Sequence, residues 1–216
     1  GNPRRRDLED MKTTSRRKRL SRPEAQAQTR EHLVEAAKRL FIECGFAGTS
    51  LRDIAEEAGY SQGAFYSNFP CKEAVLLELL KRHVALEDDE IETIVADRNH
   101  SPEQILAKLE EWLTRFEKAR DWSVLTIELQ LHAMRSPSFA ESYAAVWMEH
   151  EQRVALMLRR MFERLGQTPP ADVTPIAAGL IALTNGLVVQ QSAGRPTYIS
   201  ATIAMFLRAV LTLGAE

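Results

Sequence analysis

A group of small polar side chains near residue 61 has the chemistry needed to hydrogen-bond with a nucleic acid. It comprises Ser61, Gln62, Gly63, Ala64, Ser67 and Asn68. Small residues at the start of a helix let its backbone lie deep in the major groove, and the amides of Gln62 and Asn68 can pair with adenine. Arg52, on the preceding segment, could reach a guanine or a phosphate. These residues are candidates for contact with double-stranded DNA.

No other group of residues has the spacing of a catalytic or metal site. Glu149, His150 and Glu151 are adjacent, but neighbouring helix residues point in different directions, so one ion could not collect all three. Cys44 and Cys71 lack the paired spacing of a zinc site and are too few for a disulfide framework. The sequence therefore predicts no enzyme, no metal and no cofactor.

Helix-terminating signals place the DNA-contact candidates between two short helices. Ser50 and Asp53 have the spacing of a capping box that opens the first helix, and Gly59 ends it. Ser61 is a candidate cap for the second helix, after a turn of only three residues, 59–61. Two short helices joined by a glycine-containing turn form a helix-turn-helix.

Helical patterns extend over the rest of the chain. Apolar spacing predicts a helix from Leu33 to Cys44, stopped by Gly45, and about six helices after the helix-turn-helix. Two of these would open with capping boxes, at Ser101 and at Ser138. Because no segment alternates as a strand does, we expect an all-α fold of about nine helices.

The charge of the chain is unevenly distributed. The whole chain has 28 Lys+Arg and 30 Asp+Glu, whereas residues 1–30 have ten basic and four acidic residues. Blocks of like charge predict an extended, disordered arm over residues 1–28 that could add phosphate contacts or enter a minor groove. Residues 29–73 would then form a DNA-binding domain and residues 74–216 a second domain.

The chain carries neither an export signal nor an uninterrupted apolar run of membrane-spanning length. The basic residues at the N-terminus have no apolar stretch behind them. The longest apolar run, from Ile176 to Val189, is interrupted by polar residues and glycine. We therefore expect a cytoplasmic protein with no membrane partner.

Residues 45–73 closely resemble the DNA-binding signature of the tetracycline-repressor (TetR) family of transcriptional regulators. The resemblance is carried by the run GFAGTSLRDIAEEAGYSQGAFYSNFPCKE. It implies four phosphate-binding side chains: Thr49, Ser50, Tyr66 and Lys72. This chain departs from the family pattern at Gln62, Ala64 and Cys71, where Lys, Thr and Ser respectively are frequent. The first two departures remove a charge and a hydroxyl, so the basic arm would have to compensate.

The second domain is predicted to do something other than bind nucleic acid. Residues 83–216 have 12 basic and 18 acidic residues. The last two helical patterns, near 174–192 and 198–213, are apolar over more than one face, which favours burial or pairing with another helix. Because a helix-turn-helix usually reads two half-sites as a two-fold dimer, we assign these helices to a homodimer interface, as the resemblance also implies.

Bulky aromatic and methionine side chains between the two regions could line a cavity for a small apolar or amphipathic effector. The candidates are Trp112, Phe116, Leu129, His132, Tyr143, Trp147, Met148 and Asn185. Trp122 and Met157 belong to the same aromatic and methionine set, and Glu128 is a further polar candidate. The resemblance implies that such an effector changes the spacing of the two DNA-binding units and releases the operator. The sequence thus predicts a dimeric regulator, a repressor rather than an activator, of a palindromic operator.

Two alternatives remain open at this point. Oxidation of Cys44 and Cys71 could lock the DNA-binding unit, provided that their Cα atoms lie within about 7 Å. Alternatively, the protein could be an architectural DNA binder that responds to no ligand. Such a protein would bind DNA by shape, without a palindrome.

Overall fold

The protein is all-helical over the residues that the computed structural model describes, which are 20–115, 118 and 120–213. These residues contain nine α-helices and no strand, as the sequence predicts. The helices are α1 Arg22–Gly48, α2 Leu51–Glu57, α3 Gln62–Tyr66, α4 Lys72–Ala96, α5 Pro102–Leu113, α6 Arg120–Arg135, α7 Pro137–Leu165, α8 Val173–Ser192 and α9 Ile199–Leu213. We call α1–α3 the head and α4–α9 the C-terminal domain.

The start of α1 differs from the sequence prediction. Ser21 caps the helix: its hydroxyl accepts from the Glu24 N–H, and its own N–H donates to the Glu24 carboxylate at 2.7 Å. Pro23, in the first turn, has its φ already fixed near the helical value. Residues 22–28 are therefore helical, and the prediction of an extended arm over them was wrong. The rest of the predicted arm, residues 1–19, lies outside the described residues.

The head packs around fully buried apolar side chains. They are Leu33, Phe41, Ile54, Phe65 and Phe69. The backbone of α1 leaves helical geometry at Gly45, with φ 76° and ψ 162°, which confirms the predicted stop. The predicted capping box of Ser50 with Asp53 is present, and the Ser61 hydroxyl accepts from the Ala64 N–H. The two short helices therefore form as the sequence predicts.

The C-terminal domain is built on two long helices, α4 and α7, which pack along each other. α8 packs on α7, and α9 packs on α5. The capping box at Ser101 is present, but the one predicted at Ser138 is absent, because α7 begins at Pro137 with Ser136 as its N-cap. Proline is preorganised for the first helical position, so the helix starts one residue before the predicted cap. Gly166 ends α7 in left-handed geometry, as predicted.

α8 has an unusually apolar surface. By length and composition alone it could span a membrane, which the interrupted apolar run did not predict, although core helices of globular proteins share this property. Only 17% of its most apolar window is buried inside the chain. Gly179 and Gly186 lie on the exposed side, where an added Cβ would meet no atom within 4 Å. One side of α8 is therefore left without a partner among the residues that the structure describes.

Candidate nucleic-acid interface and internal cavity

The turn before α3 and the first turn of α3 form an exposed polar surface. Seven of the predicted DNA-contact residues are exposed in the head: Ser50, Arg52, Ser61, Gln62, Gly63, Tyr66 and Ser67. Tyr66 is 61% exposed, although its ring packs edge-on against the buried Phe65. A helix start that carries small exposed residues can approach the floor of the major groove.

Several of these side chains already have partners within the head. Asn68, which is half-buried like Ala64, donates from Nδ2 to the carbonyl of Ala64 at 2.8 Å. Arg52 pairs with Glu56, with Nε 2.7 Å from Oε1, and this pairing raises the pKa of the guanidinium. Because both partners of the Arg52 pair are largely exposed, the guanidinium can exchange Glu56 for a phosphate at little cost.

Thr49 lies inside the head rather than on its surface. The side chain is 2% exposed, and its hydroxyl donates to the carbonyl of Gly45 at 2.8 Å. A second contact, to the carbonyl of Leu40, measures 3.2 Å. The buried hydroxyl therefore stabilises the corner after α1, and contact of Thr49 with phosphate stays a prediction.

Lys72 connects the start of α4 to the same corner. Its Nζ donates to the carbonyl of Phe46 at 2.6 Å and to that of Thr49 at 2.7 Å, and it lies 4.1 Å from the centre of the Phe46 ring. Partial burial lowers the pKa of the Lys72 ammonium. The side chain is thus a structural link between the head and the C-terminal domain, and its contact with phosphate stays a prediction.

The two cysteines are both exposed free thiols. Cys71 is the N-cap residue of α4, and its side chain makes no capping hydrogen bond. Neither observation tests redox sensing, which stays a hypothesis.

The C-terminal domain contains a partly open, largely apolar cavity of about 100 Å³. All three tryptophans of the chain line it: Trp112 from α5, Trp122 from α6 and Trp147 from α7. Its polar lining residues are Glu87, His150, Thr184 and Asn185. The rest of the lining is aliphatic or methionine, contributed by α4, α5, α7, α8 and α9. Such a mixture, mostly apolar with a few polar groups, is typical of a ligand site.

Polar partners fix the aromatic walls of the cavity. Trp112 donates from Nε1 to Glu90 at 2.8 Å, and Arg115 also binds Glu90, which lowers the pKa of that carboxyl. The Trp122 ring stacks on His83, with 3.5 Å between the ring centres. Side chains held in this way are preorganised, so they lose less conformational entropy when a ligand binds.

A buried ionisable pair lies behind the cavity wall. His150 on α7, which lines the cavity, has its Nδ1 2.7 Å from Oδ1 of Asp88 on α4. Arg153 also approaches Asp88, with Nε 3.5 Å from Oδ2. The carboxylate of Asp88 therefore has two polar partners, one at each oxygen.

Three of the eight predicted effector-binding residues line this cavity: Trp112, Trp147 and Asn185. Tyr143 lines an adjoining surface groove, to which Trp147 and Asn185 also contribute. Phe116 lies outside the described residues. Trp122 and Met157, of the wider aromatic set, also line the cavity.

The other three predicted lining residues lie elsewhere. Leu129 is buried in the core that joins the head to α6, and the His132 ring packs on Phe46 with 4.4 Å between centres. Met148 is 61% exposed. An aromatic or methionine stripe does not reveal which side of a helix meets which neighbour, so these three lie away from the cavity, and their contact with an effector stays a prediction.

Sequence reasoning did not find Glu87 and His150 as cavity residues. Glu87 lies four residues before Ile91, and His150 lies four residues from both Val146 and Val154, so helical spacing places each on an apolar face. A polar residue inside an apolar stripe was the available signal. No group of three or more ligand-type side chains that could hold a metal ion occurs among the described residues.

The head and the C-terminal domain together define a class of protein: a helix-turn-helix regulator with a helical C-terminal domain. Two family matches agree with this fold. "Bacterial regulatory proteins, tetR family" matches residues 33–79, and "BetI-type transcriptional repressor, C-terminal" matches residues 102–213. The chain belongs to the TetR family of transcriptional regulators, which are not enzymes, and membership implies binding to a DNA operator.

Individual relatives agree with this assignment. The chain is 34% identical over 95 residues to the transcriptional regulator YerO of Bacillus subtilis, which is 44% of this chain but only 32% of YerO. A TetR-family regulator from Mesorhizobium loti superposes with a TM-score of 0.71 at 17% identity, over 90% of this chain and 98% of that one. A regulator from Saccharomonospora viridis, solved with choline, has a TM-score of 0.65 at 24% identity, over 85% and 95%.

Proposed function

We propose that this protein is a homodimeric repressor that binds a palindromic DNA operator in the cytoplasm and releases it when a small molecule enters the cavity. The observation that carries this proposal is the exposed start of α3, where Ser61, Gln62 and Gly63 lie uncovered beside Tyr66. Gln62 and Arg52 would contact base edges, and Ser50 and Tyr66 would contact phosphates. Family membership supports the operator and the effector.

The unpartnered side of α8 supports the dimer. A glycine inside a helix costs about 1 kcal/mol relative to alanine. No described residue of this chain requires Gly179 or Gly186 to lack a Cβ, and Ala182, between them, is also exposed. On α9, Met205 is 60% and Phe206 46% exposed. A second copy packed against α8 and α9 would use the small residues for close approach and cover the large apolar ones.

α6 offers a physical connection between the cavity and the head. Trp122, near its start, lines the cavity, while Glu128, further along, accepts a hydrogen bond from the Phe46 N–H. A ligand that moves Trp122 would therefore shift the helix on which the head is anchored. In a dimer, such a shift changes the spacing of the two α3 helices, which couples the effector to the operator.

The test is selection of genomic DNA fragments by the purified protein at physiological salt, followed by sequencing. We expect a palindrome whose half-sites lie about one helical turn, roughly 34–36 Å, or a small multiple of it apart. Retention of fragments without a common motif would overturn the proposal in favour of an architectural DNA binder.

A matched pair of variants separates specific binding from general effects of charge. Gly63→Glu should abolish retention, because it adds a negative charge at the exposed start of α3, where a Cβ makes only an ordinary contact, 3.7 Å from Ser61 Oγ. Ala145→Glu adds the same charge to an exposed position on α7 and should retain the wild-type motif. Equal retention by the two variants would contradict the assignment of α3 as the recognition helix.

A further inference from the structure

The internal cavity has an uneven distribution of charge. Among the described residues that line it, Glu87 is the carboxylate, and none is Lys or Arg. The Glu87 side chain is only 14% exposed. Removing a carboxylate from water is costly unless a partner restores the lost interactions. The cavity is therefore electrostatically suited to a cation and unsuited to an anion.

The partner of Glu87 within the protein is a histidine. Nε2 of His83 lies 2.7 Å from Oε1 of Glu87, and the His83 ring stacks on the ring of Trp122. By contrast, Asp88 contacts both His150 and Arg153. The two neighbouring carboxylates thus differ: Asp88 does not line the cavity and has two partners, one of which, His150, does line it, whereas Glu87 lines the cavity itself.

The three tryptophans add a second attraction for the same kind of ligand. Trp112, Trp122 and Trp147 come from three different helices and meet at one cavity. The faces of indole rings carry negative potential and attract ammonium groups, most strongly where water is excluded. Aliphatic side chains such as Leu109 and Val188 line the remainder of the cavity and match an apolar substituent.

We propose that the effector of this cavity is an organic cation, an ammonium group that carries a bulky apolar substituent. The ammonium lies beside Glu87 and against the indole rings, and the apolar substituent packs against the aliphatic lining. This inference rests on the proposed function, because it names the chemical class of the effector for the same cavity.

The experiment compares three probes of similar size on the full-length protein by titration calorimetry. They are benzyltrimethylammonium, its uncharged carbon isostere neopentylbenzene, and the anion 3-phenylpropanoate. We expect the cation to bind at least about tenfold more tightly than the isostere, because only the cation gains a desolvated contact with the indole rings. The anion should bind more weakly than both. Equal affinities, a preference for the isostere or the anion, or no binding of the cation would overturn the inference.

Two variants assign the preference to Glu87. Glu87→Gln keeps the size of the side chain and should lower the affinity for the cation about tenfold, while the affinity for the isostere changes by less than about twofold. Glu92→Gln is the matched control, because Glu92 lies on the same helix but pairs with Arg160 outside this cavity. An unchanged cation preference in Glu87→Gln would contradict the role of this carboxylate. Because the comparison of probes uses the wild-type protein, the inference stays testable even if the variant does not fold.

The outcomes also separate this inference from the proposed function. Retention of operator fragments is measured first, without any probe, and its failure concerns the proposed function alone. Another outcome is that the protein retains the operator and then releases it with the isostere or the anion but not with the cation. This result would support the proposed regulatory function and overturn the inference that the effector is a cation.

Discussion

The carboxylate of Glu128 packs against Gly45 so closely that a Cβ at Gly45 would lie 3.0 Å from Oε1. The other oxygen, Oε2, accepts a hydrogen bond from the Phe46 N–H at 3.2 Å. α6 of the C-terminal domain is thus anchored to the corner of the head where α1 breaks. In the proposed mechanism this corner, together with the shared core around Leu129, connects the cavity to the head.

Gly45→Ala should destabilise the protein. The φ of 76° and ψ of 162° at Gly45 form a combination that is essentially restricted to glycine, so a side chain there costs about 1–3 kcal/mol, and the new Cβ would displace Glu128. The free energy of unfolding in urea measures the effect. Gly48→Ala is the matched control, since its Cβ would make an ordinary contact at 3.7 Å and its φ is not positive. Equal losses in the two variants would contradict this account of Gly45.

Glu128→Gln should loosen the contact between α6 and the head. A hydrogen bond to a charged acceptor contributes about 1.5–3 kcal/mol, and an amide keeps only part of it. We expect exchange of the Phe46 backbone amide to accelerate by about tenfold, which hydrogen exchange followed by NMR measures. The exposed Glu141 on α7 provides a control, because Glu141→Gln should leave the exchange at Phe46 unchanged.

Lys72→Met should lower stability by about 1–2 kcal/mol, because two backbone carbonyls lose a charged donor on a partly exposed side chain. The effect should also depend on pH. Burial lowers the pKa of Lys72 in the folded state below its value of 10.5, so in the interval beneath 10.5 the unfolded chain binds more protons. The stability of the wild type should therefore rise with pH in that interval, relative to Lys72→Met.

Urea unfolding of both proteins between pH 8 and pH 10.5 measures the difference. A difference that stays constant or falls as the pH rises would show that the ammonium of Lys72 is not penalised by burial. If Lys72 also contacts phosphate, Lys72→Met should weaken all operator sequences alike.

Gly186→Leu should convert the proposed dimer to a monomer. The exposed side of α8 has room for a leucine within the chain, and leucine is the better helix former, so the monomer itself should be no less stable. Sedimentation velocity measures the oligomeric state. Ala145→Leu, on the exposed side of α7, should leave the oligomeric state unchanged. A Gly186→Leu protein with wild-type mass in solution would place the interface elsewhere.

Gln62→Ala and Tyr66→Phe should affect operator binding in different ways. Loss of the Gln62 amide should cost about 1–3 kcal/mol at one base pair and relax the preference there. Loss of the Tyr66 hydroxyl should weaken all operators to a similar extent, because phosphates carry no sequence information. Affinities for a set of operators with single base changes measure both effects, and Gln152→Ala on α7 is an exposed control. Identical patterns for the two variants would refute the division.

The sequence alone predicts the local structure of the head closely. The cap at Ser61, the capping box of Ser50 with Asp53, and the break at Gly45 all occur as predicted. Caps and glycine stops act between residues three or four apart, so the information lies within a few residues. The capping box at Ser21, by contrast, was hidden in a charged segment and was missed.

The candidate DNA-contact residues were placed better than the candidate cavity residues, because only the former depend on signals within a few residues. The exposed start of α3 follows from local helix geometry, because each residue there was placed by its own cap and turn. The burial of Thr49 was not anticipated: its hydroxyl contacts the carbonyls of Gly45 and Leu40, on either side of the break in α1. Leu129 and His132 were assigned to the cavity, yet they pack between α6 and the head.

The sequence by itself determined an all-helical chain, its helix-turn-helix and the residues near the start of the recognition helix. Only the tertiary structure decided that three tryptophans from three helices line one cavity with Glu87, and that Lys72 links α4 to the head. Helical periodicity specifies which residues share a face. It does not specify which faces meet, because that choice depends on the packing of helices that lie far apart in the chain.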